Sequence, residues 1–180
     1  MNINNYPEIK PGKKLIKRIY IAVMLWIVGR AIQAGARVDK VIKEEFNKLS
    51  DDSMFSLGVL PGGPYMIVGK DKKGKVKYMG WNPIGKKLTL KMGIKNMEAA
   101  FLVFSFQEST TVAFAHNRFA VEGDNSDALA IVRVIDLVEV YLLPKIITKL
   151  AVKRYPKWSE MSPFRKYLGR VLIYVRAFTF

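Results

Sequence analysis

The sequence predicts an α+β domain: an antiparallel sheet of about five strands, covered on one face by helices. Two observations predict it. Between Met54 and Met92, short segments of alternating polarity are separated by Gly- and Pro-bearing turns. Phe114 to Pro144 then reads as a short strand, a tight turn and a long apolar helix, so helices and strands share one layered unit.

Residues 1–14, rich in Asn, Pro and Lys, read as irregular. Leu15 to Ala34 predicts a helix. Its apolar core, Ile19 to Gly29, lies between Lys17-Arg18 and Arg30 and falls well short of the roughly 20 residues a spanning helix needs. Ala34-Gly35-Ala36 has the small residues of a signal-cleavage site, but the long polar start and Arg30 argue against a signal peptide. The helix therefore reads as a core or dimer-interface element, or as a lid on a membrane surface.

Arg37 to Leu49 predicts a second helix. Val38, Val41, Ile42, Phe46 and Leu49 form its apolar face, with Asp39, Lys40, Lys43, Glu44, Glu45 and Lys48 outside. Four strands are expected next: Met54–Leu60, Tyr65–Lys70, Lys75–Gly80 and Lys87–Met92. Lys75, Lys77, Lys87 and Lys91 alternate with apolar residues, which predicts one solvated, lysine-rich face. Asn96 caps a helix running to about Phe104, and a helical turn follows over Glu108–Ala115.

Phe119 and Val121 alternate with Arg118, Ala120 and Glu122 as a half-buried strand, which Gly123 ends. Asp124 or Asn125 caps the next helix, and Asp127 in its first turn suits the helix dipole. Arg133, Asp136 and Glu139, three residues apart, form a narrow polar stripe on an otherwise apolar cylinder. Arg133 is placed to pair with Asp136. Beyond Pro144 a short basic helix is expected over Lys145–Tyr155. Ser162-Pro163 then opens a last helix whose Phe164, Tyr167, Leu168, Val171, Leu172 and Val175 make a continuous apolar stripe.

Net charge is +15 and concentrates at the ends. Residues 145–180 hold nine cations against Glu160 alone, and residues 1–30 hold six against Glu8. Such ends favour anionic partners: lipid head groups, nucleic acid or an acidic protein. With no cysteine and one histidine, His116, the chain has no disulfide and no thiolate chemistry. It carries no phosphate-loop, dinucleotide, nucleophile-elbow or zinc-protease motif. His116 reads as a hydrogen-bonded loop residue. Asp136 and Glu139 could share a proton or a metal.

The residues Phe114, Arg118-Phe119-Ala120-Val121-Glu122-Gly123-Asp124 and the apolar helix from Ser126 resemble the end of the lipid-binding domain of the sterol-carrier-protein-2 family. The Leu142-Leu143-Pro144-Lys145 exit looks most like a bacterial branch that includes accessory lipid-binding proteins of ubiquinone biosynthesis. The likeness covers about Val38 to Tyr155.

It implies a basic and apolar helical extension over 1–36, a lipid-binding domain over 37–156 and an amphipathic basic helix over 157–180. It also implies a non-catalytic protein without cofactor or metal. Such a protein would hold a polyprenyl or quinone intermediate, a fatty acyl chain or a sterol in an internal tunnel. Phe101, Phe104, Phe106, Phe114, Phe119, Ala130, Val134, Leu137, Val138 and Tyr141 would line that tunnel. Lys13, Lys14, Lys17, Arg18 and Trp26 at one end would dock an anionic membrane. Phe164, Arg165, Lys166, Leu168, Arg170, Val171 and Arg176 would do so at the other.

The expected setting is cytoplasmic, at the inner face of the cell membrane, with a lipid-modifying enzyme as a further partner. Three alternatives stay open: a nucleic-acid-binding protein, although no base-reading motif is present; a lipid-modifying enzyme using Asp136, Glu139 or His116; and a structural subunit of a membrane-associated complex.

Overall fold

A computed structural model of the chain describes residues 14–71, 73–143 and 162–179. The fold is α+β. In chain order the elements are α1 (Leu15–Val38), α2 (Lys40–Asn47), β1 (Met54–Val59), β2 (Tyr65–Lys70), β3 (Val76–Gly80) and β4 (Leu90–Ile94). They continue with α3 (Met97–Phe104), α4 (Thr110–Ala115), β5 (Phe119–Glu122), α5 (Asn125–Leu142) and α6 (Pro163–Thr179). The five strands form one sheet in the order β3-β2-β1-β4-β5.

The sheet is mostly antiparallel, with one difference from the expectation: β1 and β4 pair parallel, in the register Phe55↔Leu90 to Val59↔Ile94. The reason is the path of residues 81–89. β1, β2 and β3 form a meander, after which the chain leaves the β3 edge and passes β2 and β1 to reach β4. A period-2 pattern is the same for either strand direction, so alternation alone leaves the crossover unseen. β4 also begins later than expected, at Leu90.

One face of the sheet presents Phe55, Leu57, Val59, Met66, Val68, Leu90, Met92, Ile94 and Phe119 to the helices, and these join one hydrophobic cluster with α1, α5 and α6. α1 is the spine of that cluster. Ile21, Leu25, Val28, Ile32 and Ala36 bury one side of it, at the spacing of a single helix face. On the same helix Gln33 is buried, and its carbonyl accepts the backbone N–H of Tyr78 at 2.7 Å.

α1 runs to Val38, four residues past its expected end, because Asp39 rather than Arg37 starts the next helix. The Asp39 carboxylate accepts from Val41 N at 2.7 Å and Ile42 N at 3.3 Å. Asp39 is therefore buried rather than outside, and it also accepts from the Tyr141 hydroxyl. Glu45, also expected outside, is buried between Arg133 and Lys48. The Asn96 and Asp124 caps are as the sequence predicts. Asn96 accepts from Ala99 N at 2.8 Å, and Asp124 from Ser126 N at 2.6 Å.

α6 buries the face opposite its apolar stripe. The stripe from Phe164 to Val175 is exposed; the buried face is Lys166, Gly169, Ile173 and Ala177. Small residues let α6 approach closely: a Cβ on Gly169 would lie 2.8 Å from the Tyr141 ring. Arg170 donates from Nε to Tyr141 O at 2.7 Å, and Arg30 donates to Ala177 O at 3.0 Å. Together these contacts make α6 a wall of the core. The expected helix at Lys145–Tyr155 lies outside the described residues. Among the described residues no helix is long and apolar enough to cross a membrane.

Candidate functional site

Among the described residues, two clefts lie at one end of the sheet. A cleft of about 580 Å³ is walled by Leu15, Arg18, Ile19 and Ala22 of α1, by Gly62 to Tyr65 of the β1–β2 turn, and by Trp81 to Ile84 of the crossing segment. A second cleft, about 470 Å³, lies on the sheet face turned away from the helices, over Ser56, Gly93 and Ala120 and beside Lys86 and Leu88. Tyr65, Pro83 and Ile84 line both, so the two form one groove around the sheet end.

Local sequence builds each wall. The first turns of α1 carry Leu15 and Ile19 outward, and Arg18 ties the helix to the turn by donating to Gly62 O at 2.8 Å. Tyr65 lies across Gly58, where an added Cβ would sit 2.1 Å from its ring, so only glycine admits this wall. Residues 81–86 form a braced turn. Asn82 Oδ1 accepts from Ile84 N at 3.0 Å, Pro83 O accepts from Lys86 N at 3.2 Å, and Gly85 takes a φ of +76°. The lining of the first cleft contains one cation, Arg18, and no acid. Such a lining recognises a ligand by apolar shape more than by charge.

The residues the family likeness assigns to lipid contact sit elsewhere. Phe104, Phe119, Ala130, Val134, Val138 and Tyr141 are buried in the main cluster, with Phe101, Phe114 and Leu137 packed against it. Phe106 packs with Val140 and Leu143 in a small separate cluster. Phe114 and Phe119 stack with centroids 5.6 Å apart. The structure thus brings most of this set together as packed interior, and none of it lines the two clefts.

Among the expected docking residues, Lys14 and Lys17 both pair with Glu98, whose carboxyl their hydrogen bonds draw down to about 2. Trp26 meets Phe178 at 5.8 Å between ring centroids. Phe164, Leu168, Val171 and Arg176 are exposed, Lys166 is buried and Arg170 is half-buried. Lys13 and the Arg165 side chain lie outside what the structure describes.

The polar stripe of α5 divides. Arg133 reaches α2 instead of Asp136, with Nε at 3.1 Å and Nη2 at 3.0 Å from Glu45 Oε2. Burial raises the Glu45 carboxyl, but hydrogen bonds from Lys48 and Arg133 outweigh it and leave the group below its ordinary value. Asp136 Oδ1 and Glu139 Oε2 are buried without a hydrogen-bond partner among the described residues. Desolvation pushes Asp136 up to about 6; burial and then the charge of Asp136 push Glu139 well above the usual carboxylate range. His116 is exposed, with Nδ1 2.6 Å from Glu108 Oε1; Arg118 holds the other oxygen of Glu108 at 2.8 Å.

Sequence reasoning did not single out Ala22, Tyr65, Trp81 and Ile84, which line the first cleft. The signal present was the run Trp81-Asn82-Pro83-Ile84-Gly85, a turn carrying two large apolar side chains that no strand pattern needs.

No protein-family model and no curated protein matches the sequence. Solved structures with a similar chain path are of the sterol-carrier-protein-2 type. One is described as a UbiJ-SCP2 ubiquinone synthesis protein: 14% identical, TM-score 0.41, covering 72% of this chain and 100% of that one. Another is the sterol carrier protein domain 2 of Helicoverpa armigera, at 18% identity and TM-score 0.38, covering 67% and 85%. A third is a palmitated SCP2L2 from Aedes aegypti, at 18% and 0.36, covering 57% and 91%. At these identities and scores they lend no residue role to this chain.

Proposed function

We propose that this protein binds a hydrophobic lipid, without catalysis, and carries or presents it at a membrane. The observation that supports this most directly is the first cleft of the groove at the sheet end, whose described lining is mostly apolar, carries no acid and is open to solvent. Each CH₂ that a ligand buries there contributes about 0.8 kcal/mol, so an acyl or isoprenoid chain is held by desolvation alone. A fatty acyl chain, a sterol and a polyprenyl or quinone intermediate share this chemistry. The basic ends of the chain, Arg18 and Arg176 among them, favour an anionic bilayer as donor or acceptor.

The test is Ala22→Trp. Ala22 is exposed on α1 and lines the first cleft, so an indole there fills the groove without touching the core. Affinity for a fluorescent fatty acid in vesicle-free solution should fall about tenfold or more, with thermal stability retained. Unchanged affinity sinks the groove as the site. The interior set around Phe104, Phe114, Val134 and Tyr141 is the second reading, supported by its contiguity between sheet and α5. Val134 is fully buried, so Val134→Trp would then change uptake and stability together.

A further inference from the structure

We propose that the turn Trp81–Ile84 is the point at which this protein enters an anionic lipid bilayer, seating the mouth of the groove on the membrane; this rests on the lipid-handling reading above. Ile84 is 83% and Trp81 73% exposed, and across the cleft Leu15 is 62% and Ile19 56% exposed. All four line one cleft, so they form a single apolar lip contributed by two distant segments.

The turn that displays Trp81 and Ile84 is braced by the hydrogen bonds of Asn82 and Pro83, and Lys86 Nζ adds a third by donating to Asn82 O at 3.1 Å. An ordered turn that holds its largest apolar side chains in water is built for a partner that removes them from water.

Charge selects the partner. The crossing segment from Trp81 to Thr89 carries Lys86 and Lys87 and no acid, and Arg18 stands on the opposite lip. A second copy of the chain would set these cations against their own kind, in a molecule of net charge +15. An anionic bilayer accepts the apolar tip below the head groups and the cations at the phosphates. Tryptophan favours that depth, and lysine reaches back from it.

The chain holds no cysteine, so single labelling sites are available without background. Ile84→Cys, Val171→Cys on the outer face of α6 and Lys43→Cys on α2 are each labelled with a nitrobenzoxadiazole dye. Each is mixed with vesicles of phosphatidylcholine containing phosphatidylglycerol as the minor component. The label at 84 should shift to the blue and escape aqueous iodide, and the label at 43 should not. Ile84→Asp should weaken vesicle co-sedimentation about tenfold.

A label at 84 that stays quenchable on vesicle-bound protein overturns the proposal, as does insertion at 171 alone. Absence of vesicle binding overturns it too, as does a lipid-free dimer that buries the label. Uptake of a fluorescent fatty acid by the wild-type protein, without vesicles, separates this from the parent reading. Uptake with an uninserted label sinks only the docking point. Insertion without uptake supports the docking point and sinks the carrier reading.

Discussion

Replacing Asp136 with asparagine should make this protein more stable near neutral pH and leave it unchanged in acid. Asp136 Oδ1 is removed from water with no hydrogen-bond partner among the described residues, and desolvation lifts the carboxyl from 3.8 to about 6. The folded state therefore keeps a proton that the unfolded chain releases between those values. Because the native state binds more protons there, stability falls as pH rises through this window, by about 1.4 kcal/mol per pH unit. The full shift corresponds to about 3 kcal/mol. The partial exposure of the side chain reduces this to about 1–2 kcal/mol.

Glu139 acts in the same direction, raised by burial and by Asp136. Asparagine keeps the shape and removes the ionisation. At about pH 7.5 the midpoint should rise by roughly 2–8 °C for a chain of this size, and at about pH 4 the two proteins should coincide. Thermal unfolding followed by circular dichroism at both pH values measures this, with fatty-acid affinity expected to change less than stability. An equal gain at both pH values would refute the electrostatic argument in favour of packing. A loss near neutrality would show that the carboxylate has a partner.

Two further outcomes are expected. Arg133→Ala leaves Glu45 with Lys48 alone; because Glu45 lies below its ordinary value, the cost of about 1 kcal/mol should be present above roughly pH 5 and fade as pH falls, as urea titrations at two pH values would report. Deleting Ser162 to Phe180 removes the buried Ile173 and Ala177 from the side of α1, so the truncated chain should lose cooperative unfolding rather than only its affinity for liposomes; a folded truncation would return α6 to the role of a detachable docking helix.

Local chemistry made the helix caps and the β5–α5 unit legible in the sequence. Asn96, Gly123 and Asp124 act within a few residues of themselves, and their roles survive whatever the rest of the fold does. The parallel β1–β4 pair was not legible, because residues 81–89 cross without a helix to announce the reversal. On α6 the apolar stripe stood out in the sequence, while the seam that packs on the core, Gly169, Ile173 and Ala177, did not, since small and spaced residues let two helices approach without a broad apolar face. The groove escaped notice for a related reason. Its walls come from a helix start, a hairpin turn and a crossover, and each of these alone reads as punctuation.

The clasp between α1 and α6 sets the order of events during synthesis. α1 is made before Ile173 and Ala177, which pack against its side. At ribosomal speeds that interval is roughly 7–30 s. Throughout it, the nascent protein carries an apolar helix whose final cover does not yet exist. Through that interval the face of α1 that Ile173 and Ala177 later cover is open to any other apolar surface, a chaperone or a bilayer among them.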